Sequence, residues 1–359
     1  MFTQLTQKLD SFIKHGIPGY DCVVYHKGEC IYRRYKGYSD RENKIPMRGK
    51  ELYNIYSCSK IITCTAALML YEKGMYKLED KLSDYMPEFE SMYVNTENGL
   101  KKTERYITIK DLFCMTAGFS YNLNSPMIQK CQKETKGRCQ TRVLMKYLAQ
   151  EPLLFEPGER WEYSLCHDVL AAFVETISGK RFGEFVKENI FDCLEMNNST
   201  FLLDDLELDK VCSQYKGEKI ELRPKTIDYK LGTEYESGGA GCVSTVEDYI
   251  KFLEALRMGE LLKPETIELM LTNQLNDHQI KTYWVENYGY GLGIRCKYKD
   301  ESISDFGWGG AAGAYAIVDP KYEYTAFYVQ HVLNSPIQNM RNEILPMIKE
   351  VIKKRNETN

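Results

Sequence analysis

Apolar residues Phe2, Leu5, Leu9 and Phe12 recur at helical spacing among polar neighbours, so the chain is expected to open with an amphipathic helix. Two β-rich runs follow, 21–25 and 29–35, on either side of His26-Lys27-Gly28, and this is the pattern of a hairpin. From 57 to 73 the spacing turns helical through Ile61, Ala66, Leu68, Met69 and Tyr71, and Gly74 stands where a cap belongs. Residues 78–235 read as mostly helical or looped. Helices are expected over 108–115, 141–150, 166–178 and 182–193, with loop at Pro157-Gly158 and over 197–235. Beyond 236 a Gly-rich turn precedes a helix with Thr245 as N-cap and Asp248 three residues on. The segments YGYGLGIRCKY, SISDFGWGG, AAGAYAIVDP and YTAFYVQHV then read as strands, and a helix from about 336 to 354 follows them.

Strands therefore gather at both chain ends and helices in the middle. The order predicts an α/β (α+β) protein whose antiparallel sheet is built from both ends and flanked by helices. Residues 1–55 plus 236–359 are expected to form the sheet domain and 56–235 an inserted, mostly helical domain, with the site in the cleft between them. A length of 359 residues suits one large or two intimately built domains.

Composition adds exclusions. Hydrophobic residues at 43% and charged residues at 27% are ordinary for a globular chain, which argues against disorder. The net charge of −4 and the shortness of the basic runs Lys101-Lys102 and Lys353-Lys354-Arg355 argue against a nucleic-acid partner. No run approaches the ~20 apolar residues of a membrane span, and the N-terminus has no apolar h-region, so no membrane partner and a cytoplasmic location are expected. The twelve cysteines are irregularly spaced without a C-x-x-C pair, which favours buried free thiols over a zinc site. Cys22/Cys30 and Cys131/Cys139 are the pairs that could bridge in an oxidising compartment.

Candidate chemistry begins at Ser57-Cys58-Ser59-Lys60, an S-x-x-K tetrad opening a helix. Residues three apart share a helix face, so the lysine can reach the serine hydroxyl. That hydroxyl needs an adjacent base to act as a nucleophile, and the helix start offers free amides and a favourable dipole. A surface serine and lysine are the plain alternative. A second element, Tyr163-Ser164, ends a loop before an apolar helix; its tyrosine is placed to relay a proton, or else is a packed core ring. A third is the strand with Gly307, Gly309, Gly310 and Gly313, whose glycine density implies close approach by a ligand or another backbone. Its likeness to a dinucleotide fingerprint is set aside because a strand, not a helix, comes next.

In this order the three elements resemble the serine β-lactamase and penicillin-binding-protein superfamily. The class C β-lactamases, D-alanyl-D-alanine carboxypeptidases and β-lactamase-fold carboxylesterases are the most similar. TIKDLFCMTAGF (108–119), LFEPGERWEYS (154–164) and SGGAGCVSTVEDYIKF (237–252) carry the resemblance further, over roughly 10–350. It implies a β-lactamase/transpeptidase-like fold and an acyl-enzyme at Ser57, with Lys60 and Tyr163 as a coupled proton-handling pair. It also implies an oxyanion hole from the amides of Ser57 and Ala311, and no cofactor or metal. Two positions depart from the family. Tyr-x-Asn is here Tyr163-Ser164-Leu165, and K-T-G is here Trp308-Gly309-Gly310, so Leu165, Trp308, Gly309 and Gly310 are expected at the substrate. The missing lysine removes a holder for a substrate carboxylate. Carboxylesterases of this fold resemble the chain in having a Trp-Gly-Gly strand, which tilts the expectation from β-lactams or peptides toward small esters or amides. Arg295 or Lys297 are the candidates for a replacement cation.

Other chemistries fit less well. No G-x-S-x-G elbow is present for a Ser-His-Asp hydrolase. His167 lies four residues after Tyr163, with helix packing as its alternative role. The acid clusters Asp204-Asp205 and Glu234/Glu236 read as solvated loop more readily than as a metal site. A non-catalytic binding or sensor protein on the same fold is the rival of another class, against which Ser57, Lys60 and Tyr163 all stand. Oligomeric state is not legible.

Overall fold

The first hairpin forms as the pattern requires. β1 (Gly19–His26) and β2 (Glu29–Asp40) meet at Lys27 and Gly28, both at positive φ (55° and 82°), the conformation that a two-residue hairpin turn needs. The computed structural model describes all residues except 202–209, 226–228, 301 and 359; Asp204 and Asp205 lie outside the described residues.

β3 (Ile45–Pro46) extends the hairpin at one edge. On its other side β1 pairs with β14 (Tyr324–Gln330), which continues through β13 (Tyr315–Asp319), β12 (Phe306–Gly309), β11 (Arg295–Lys297) and β10 (Tyr288–Tyr290). The result is one eight-stranded antiparallel sheet in the order β10-β11-β12-β13-β14-β1-β2-β3, made from both ends of the chain. Smaller pairings join β4 (Tyr53–Asn54) to β9 (Val243–Ser244), β5 (Tyr93–Thr96) to β6 (Gly99–Lys102), and β7 (Gln214–Lys216) to β8 (Glu221–Arg223) and β15 (Val332–Leu333).

Among the described residues the α-helices are α1 (Thr3–Lys14), α2 (Ser59–Glu72), α3 (Ile109–Phe113), α4 (Pro126–Glu134), α5 (Thr141–Leu148), α6 (Cys166–Ser178), α7 (Phe182–Val186), α8 (Val246–Met258), α9 (Pro264–Leu271) and α10 (Ile344–Thr358). Leu5, Leu9 and Phe12 of α1 and Ile344, Ile348 and Ile352 of α10 bury one sheet face, together with Tyr20, Cys22 and Val24 of β1. Val23, between them, points into the larger core with α2, α6 and α8. The period of two along β1 thus feeds two cores, and the strand is buried over nearly its whole length because both faces are covered, with the charge of Asp21 met by Arg33. Burial of this extent supplies the main driving force for the fold.

Several boundaries differ from the sequence pattern, each for a physical reason. YGYGLGIRCKY is two strands, β10 and β11, because Gly293 at φ 87° turns the chain between them. The terminal helix starts at 344 rather than 336; Pro346 falls in its first turn, where a missing N–H is harmless. The 197–235 stretch contains β7 and β8, too short at three residues each to display alternation, and Lys101-Lys102 close β6. Thr245 does cap α8, its hydroxyl accepting from the Asp248 amide at 3.1 Å. All twelve cysteines are free thiols, ten of them buried. Cys131 and Cys139 lie with Sγ atoms 2.8 Å apart, whereas Cys22 sits opposite Arg34 in the sheet and Cys30 opposite Tyr25. Among the described residues, no helix is long and apolar enough to cross a membrane.

Candidate active site

β4 delivers the chain into a single 3-10 turn, Tyr56–Cys58, from which α2 starts at Ser59. Tyr56 has φ 48°, a left-handed conformation that a bulky residue adopts only when its surroundings hold it there. They do. Its hydroxyl bonds Gln214, its ring packs edge-on against Tyr229 at 5.7 Å, and Ser59 Oγ donates to its carbonyl at 2.5 Å. The turn places Ser57, 8% exposed, at the wall of a cleft of about 790 Å³.

Two donors converge on Ser57 Oγ: Lys60 Nζ from 3.2 Å and the Tyr163 hydroxyl from 2.5 Å. Lys60 is fully buried, and its ammonium also donates to the Gly239 carbonyl at 2.6 Å. The Tyr163 ring lies 4.5 Å from that ammonium, a cation–π contact that stabilises the buried charge. Tyr163 is clamped by parallel rings on two sides, Tyr121 at 5.3 Å and Trp308 at 6.0 Å. Because both donors point at Oγ, one of them must surrender its proton before the serine can lose its own.

β12 forms a second wall of the cleft, packed against the Ser57 turn. Trp308, Gly309, Gly310 and Ala311 all line the cleft. Gly310 is obligatory there: a methyl on it would sit 2.3 Å from the Ile55 carbonyl oxygen. The glycine density thus reflects close backbone packing, which brings Ala311 up to the Ser57 turn. Among the described residues, no acceptor takes up the amides of Ser57 and Ala311, the arrangement an oxyanion needs.

Leu165 does not join them. It is the N-cap residue of α6, 2% exposed, and turns into the large core instead of the cleft. An apolar side chain gains more from that burial than from facing an open groove. Arg295 does line the cleft, but its guanidinium Nη1 pairs with Asp305 at 2.6 Å between the Tyr288 and Tyr315 rings, so that carboxylate balances its charge, while Nε and Nη2 have no hydrogen-bond partner among the described residues. Lys297 is not among the cleft residues. His167 lies wholly buried behind the site, Nε2 at 3.2 Å from the Phe113 carbonyl; burial foremost, then the Lys60 charge, pushes it down to about 3, so it is neutral. Glu234 and Glu236 are engaged by Arg138 and Arg181.

Residues absent from the sequence reading complete the walls. Tyr121, Tyr229 and the 58% exposed Trp284 line the cleft, and no local pattern marks them among the chain's many aromatics. Arg341, just before α10, donates to the Gly310 and Ala314 carbonyls at 3.2 and 3.4 Å and fixes the end of β12 from below.

With this geometry in hand, the comparisons are specific. The Beta-lactamase family matches residues 2–343. Protein Rv1367c of Mycobacterium tuberculosis is 26% identical over 342 residues, covering 86% of this chain and 84% of that protein. Esterase EstB of Burkholderia gladioli is 27% identical over 279 residues, covering 68% and 67%. The solved structure of EstCE1, described as a hydrolase with promiscuous acyltransferase activity, superposes with a TM-score of 0.77 at 24% identity, covering 95% of this chain and 98% of that one.

Proposed function

The chain belongs to the Beta-lactamase family and is a serine hydrolase with the β-lactamase/transpeptidase-like fold; within that family we propose that it is a carboxylesterase working through an acyl-Ser57 intermediate on small esters. The convergence of Lys60 Nζ and the Tyr163 hydroxyl on Ser57 Oγ carries the reading.

In this mechanism the Lys60–Tyr163 pair takes the Ser57 proton as Oγ bonds to the ester carbonyl carbon. The amides of Ser57 and Ala311 hold the resulting oxyanion. The carbon–oxygen bond to the alcohol breaks, and the pair returns the proton to the departing oxygen. A water then gives its proton to the pair and its oxygen to the acyl carbon; the bond to Oγ breaks, Ser57 is reprotonated, and the acid leaves. An alcohol entering in place of water would give acyl transfer, the side activity in the description of EstCE1. Cofactors have no part in these steps.

Esters are favoured over β-lactams by the lining of the cleft beside Ser57. Trp308 stands where a carboxylate-binding lysine is found in β-lactamases, and Arg295 is committed to Asp305. Trp308, Trp284 and Tyr121 line the cleft with rings, which suits an apolar acyl or alcohol group. The test is a paired turnover assay with p-nitrophenyl butyrate and a chromogenic cephalosporin, each repeated with Ser57→Ala. Ester turnover that needs Ser57, with cephalosporin turnover at least tenfold weaker, is expected. Faster cephalosporin turnover would reverse the substrate assignment, and turnover of neither would leave a binding protein.

A further inference from the structure

Lys60 is buried without a carboxylate in ion-pair distance among the described residues. A buried ammonium is costly unless something nearby balances it. The balancing group stands behind it. Asp168, in the first turn of α6 and 1% exposed, has one carboxylate oxygen satisfied twice: Oδ1 accepts from the Tyr235 hydroxyl at 2.7 Å and the Ser237 hydroxyl at 2.6 Å. Its Oδ2 takes no side-chain donor and lies against Gly239, whose amide also helps hold the carboxylate. A methyl on Gly239 would lie 2.5 Å from that oxygen and 3.4 Å from Lys60 Nζ, so the two charged atoms approach the same small gap from different sides.

Each neighbour leaves Asp168 in this role. Tyr163 and Tyr121 offer Lys60 ring faces at 4.5 and 5.6 Å. Cys64, one turn along α2, is a thiol that burial pushes well up. His167 is neutral, and Tyr235 is a phenol that burial and Asp168 push well up. Burial raises the Asp168 carboxyl, while the Ser237 hydroxyl, the Lys60 charge, the Tyr235 hydroxyl and the Gly239 amide oppose that rise. The turn between them is held rigid: Thr63 Oγ1 donates to the Gly238 carbonyl at 2.7 Å, and the Ala240 amide to Ser237 Oγ at 3.0 Å.

We propose that Asp168 is a positioning residue for the reaction at Ser57, supplying across Gly239 the buried negative charge that keeps the Lys60 ammonium aimed at Ser57 Oγ and the Gly239 carbonyl. This rests on the reading of Ser57 as nucleophile. Asp168 touches no reacting atom; it acts through Lys60. No local pattern marks Asp168, which meets the SGGAG segment (237–241) only in the folded chain.

The experiment follows kcat and KM for p-nitrophenyl butyrate against pH in wild type, Ser57→Ala, Asp168→Asn and Asp168→Glu. Asparagine keeps the acceptor for Tyr235 and Ser237 and removes the charge. Without that charge a proton leaves the Ser57–Lys60–Tyr163 group more easily, so the kcat profile should move to lower pH by about one unit or more. kcat should fall roughly 10–100-fold, with KM within about threefold. Asp168→Glu should bring the profile back towards the wild-type position even where kcat is reduced. Should Asp168→Asn not fold, Gly239→Ala keeps both charges and wedges a methyl between them, and a smaller displacement in the same direction is expected. A profile that stays in place overturns the assignment and leaves Asp168 a structural residue. Turnover that persists in Ser57→Ala instead overturns the reading of Ser57, a separate outcome in the same series.

Discussion

The indole of Trp308 lies nearly parallel to the ring of Tyr163, at 15° and 6.0 Å between centroids, so it stacks on the tyrosine whose hydroxyl donates to Ser57 Oγ. On the proposed reading, one departure from the family pattern bears both on what the cleft can bind and on how Tyr163 is supported. Trp308 is also 6% exposed and packs edge-on against Tyr290. Trp308→Ala should destabilise the fold by about 3–5 kcal/mol and lower kcat/KM for aromatic esters roughly tenfold. Trp308→Phe, which keeps a ring beside Tyr163, should recover most of both. Chemical denaturation alongside ester kinetics checks this; equal losses for the two variants would contradict it.

Gly310 joins the two walls. Because a methyl there meets the Ile55 carbonyl at 2.3 Å, Gly310→Ala must push β12 away from the Ser57 turn. Overpacking of this kind costs about 1–3 kcal/mol. Displacing an oxyanion donor by a fraction of an ångström costs far more in rate, and kcat should fall roughly 100-fold. Melting curves and kcat measured together check the disproportion.

How much of this was legible in the sequence follows from the range of each signal. Ser57, Lys60 and Tyr163 stand in short local patterns that resemble a known family, and they do meet in space. Thr245 was legible because capping is decided within four residues. Leu165 was not, since its position in the family motif says nothing about which way the side chain turns; that is settled by the core beneath α6. Asp168, Tyr121 and Arg341 act through contacts 71, 42 and 31 residues away in sequence respectively, to Gly239, Tyr163 and Gly310, and no periodicity encodes such pairings. The split of β10 from β11 turned on one glycine inside what reads as a continuous strand.

A pH-dependent term in stability is built in at Glu175. Burial raises its carboxyl from 4.5 to about 7, against the hydrogen bond from the Phe182 amide at 3.0 Å. The native state therefore holds a proton that the unfolded chain gives up near 4.5. The stabilisation is full below 4.5, is lost as pH rises towards 7, and is absent above that. Glu175→Gln should remove this slope. Relative to the variant, wild type should lose about 2–3 kcal/mol between pH 4.5 and 7.5. Urea unfolding of both proteins across that window checks the sign; a gap that widens in favour of wild type with rising pH would contradict it.

The central claim is the covalent step at Ser57, and the most direct measurement is rapid acid quench of the enzyme mixed with p-nitrophenyl butyrate, followed by mass analysis of its peptides. A butyryl group on the peptide carrying Ser57, absent from Ser57→Ala although that variant keeps the wild-type fold, is the predicted result. An acyl group on another residue, or ester turnover that Ser57→Ala leaves undiminished, would contradict the account.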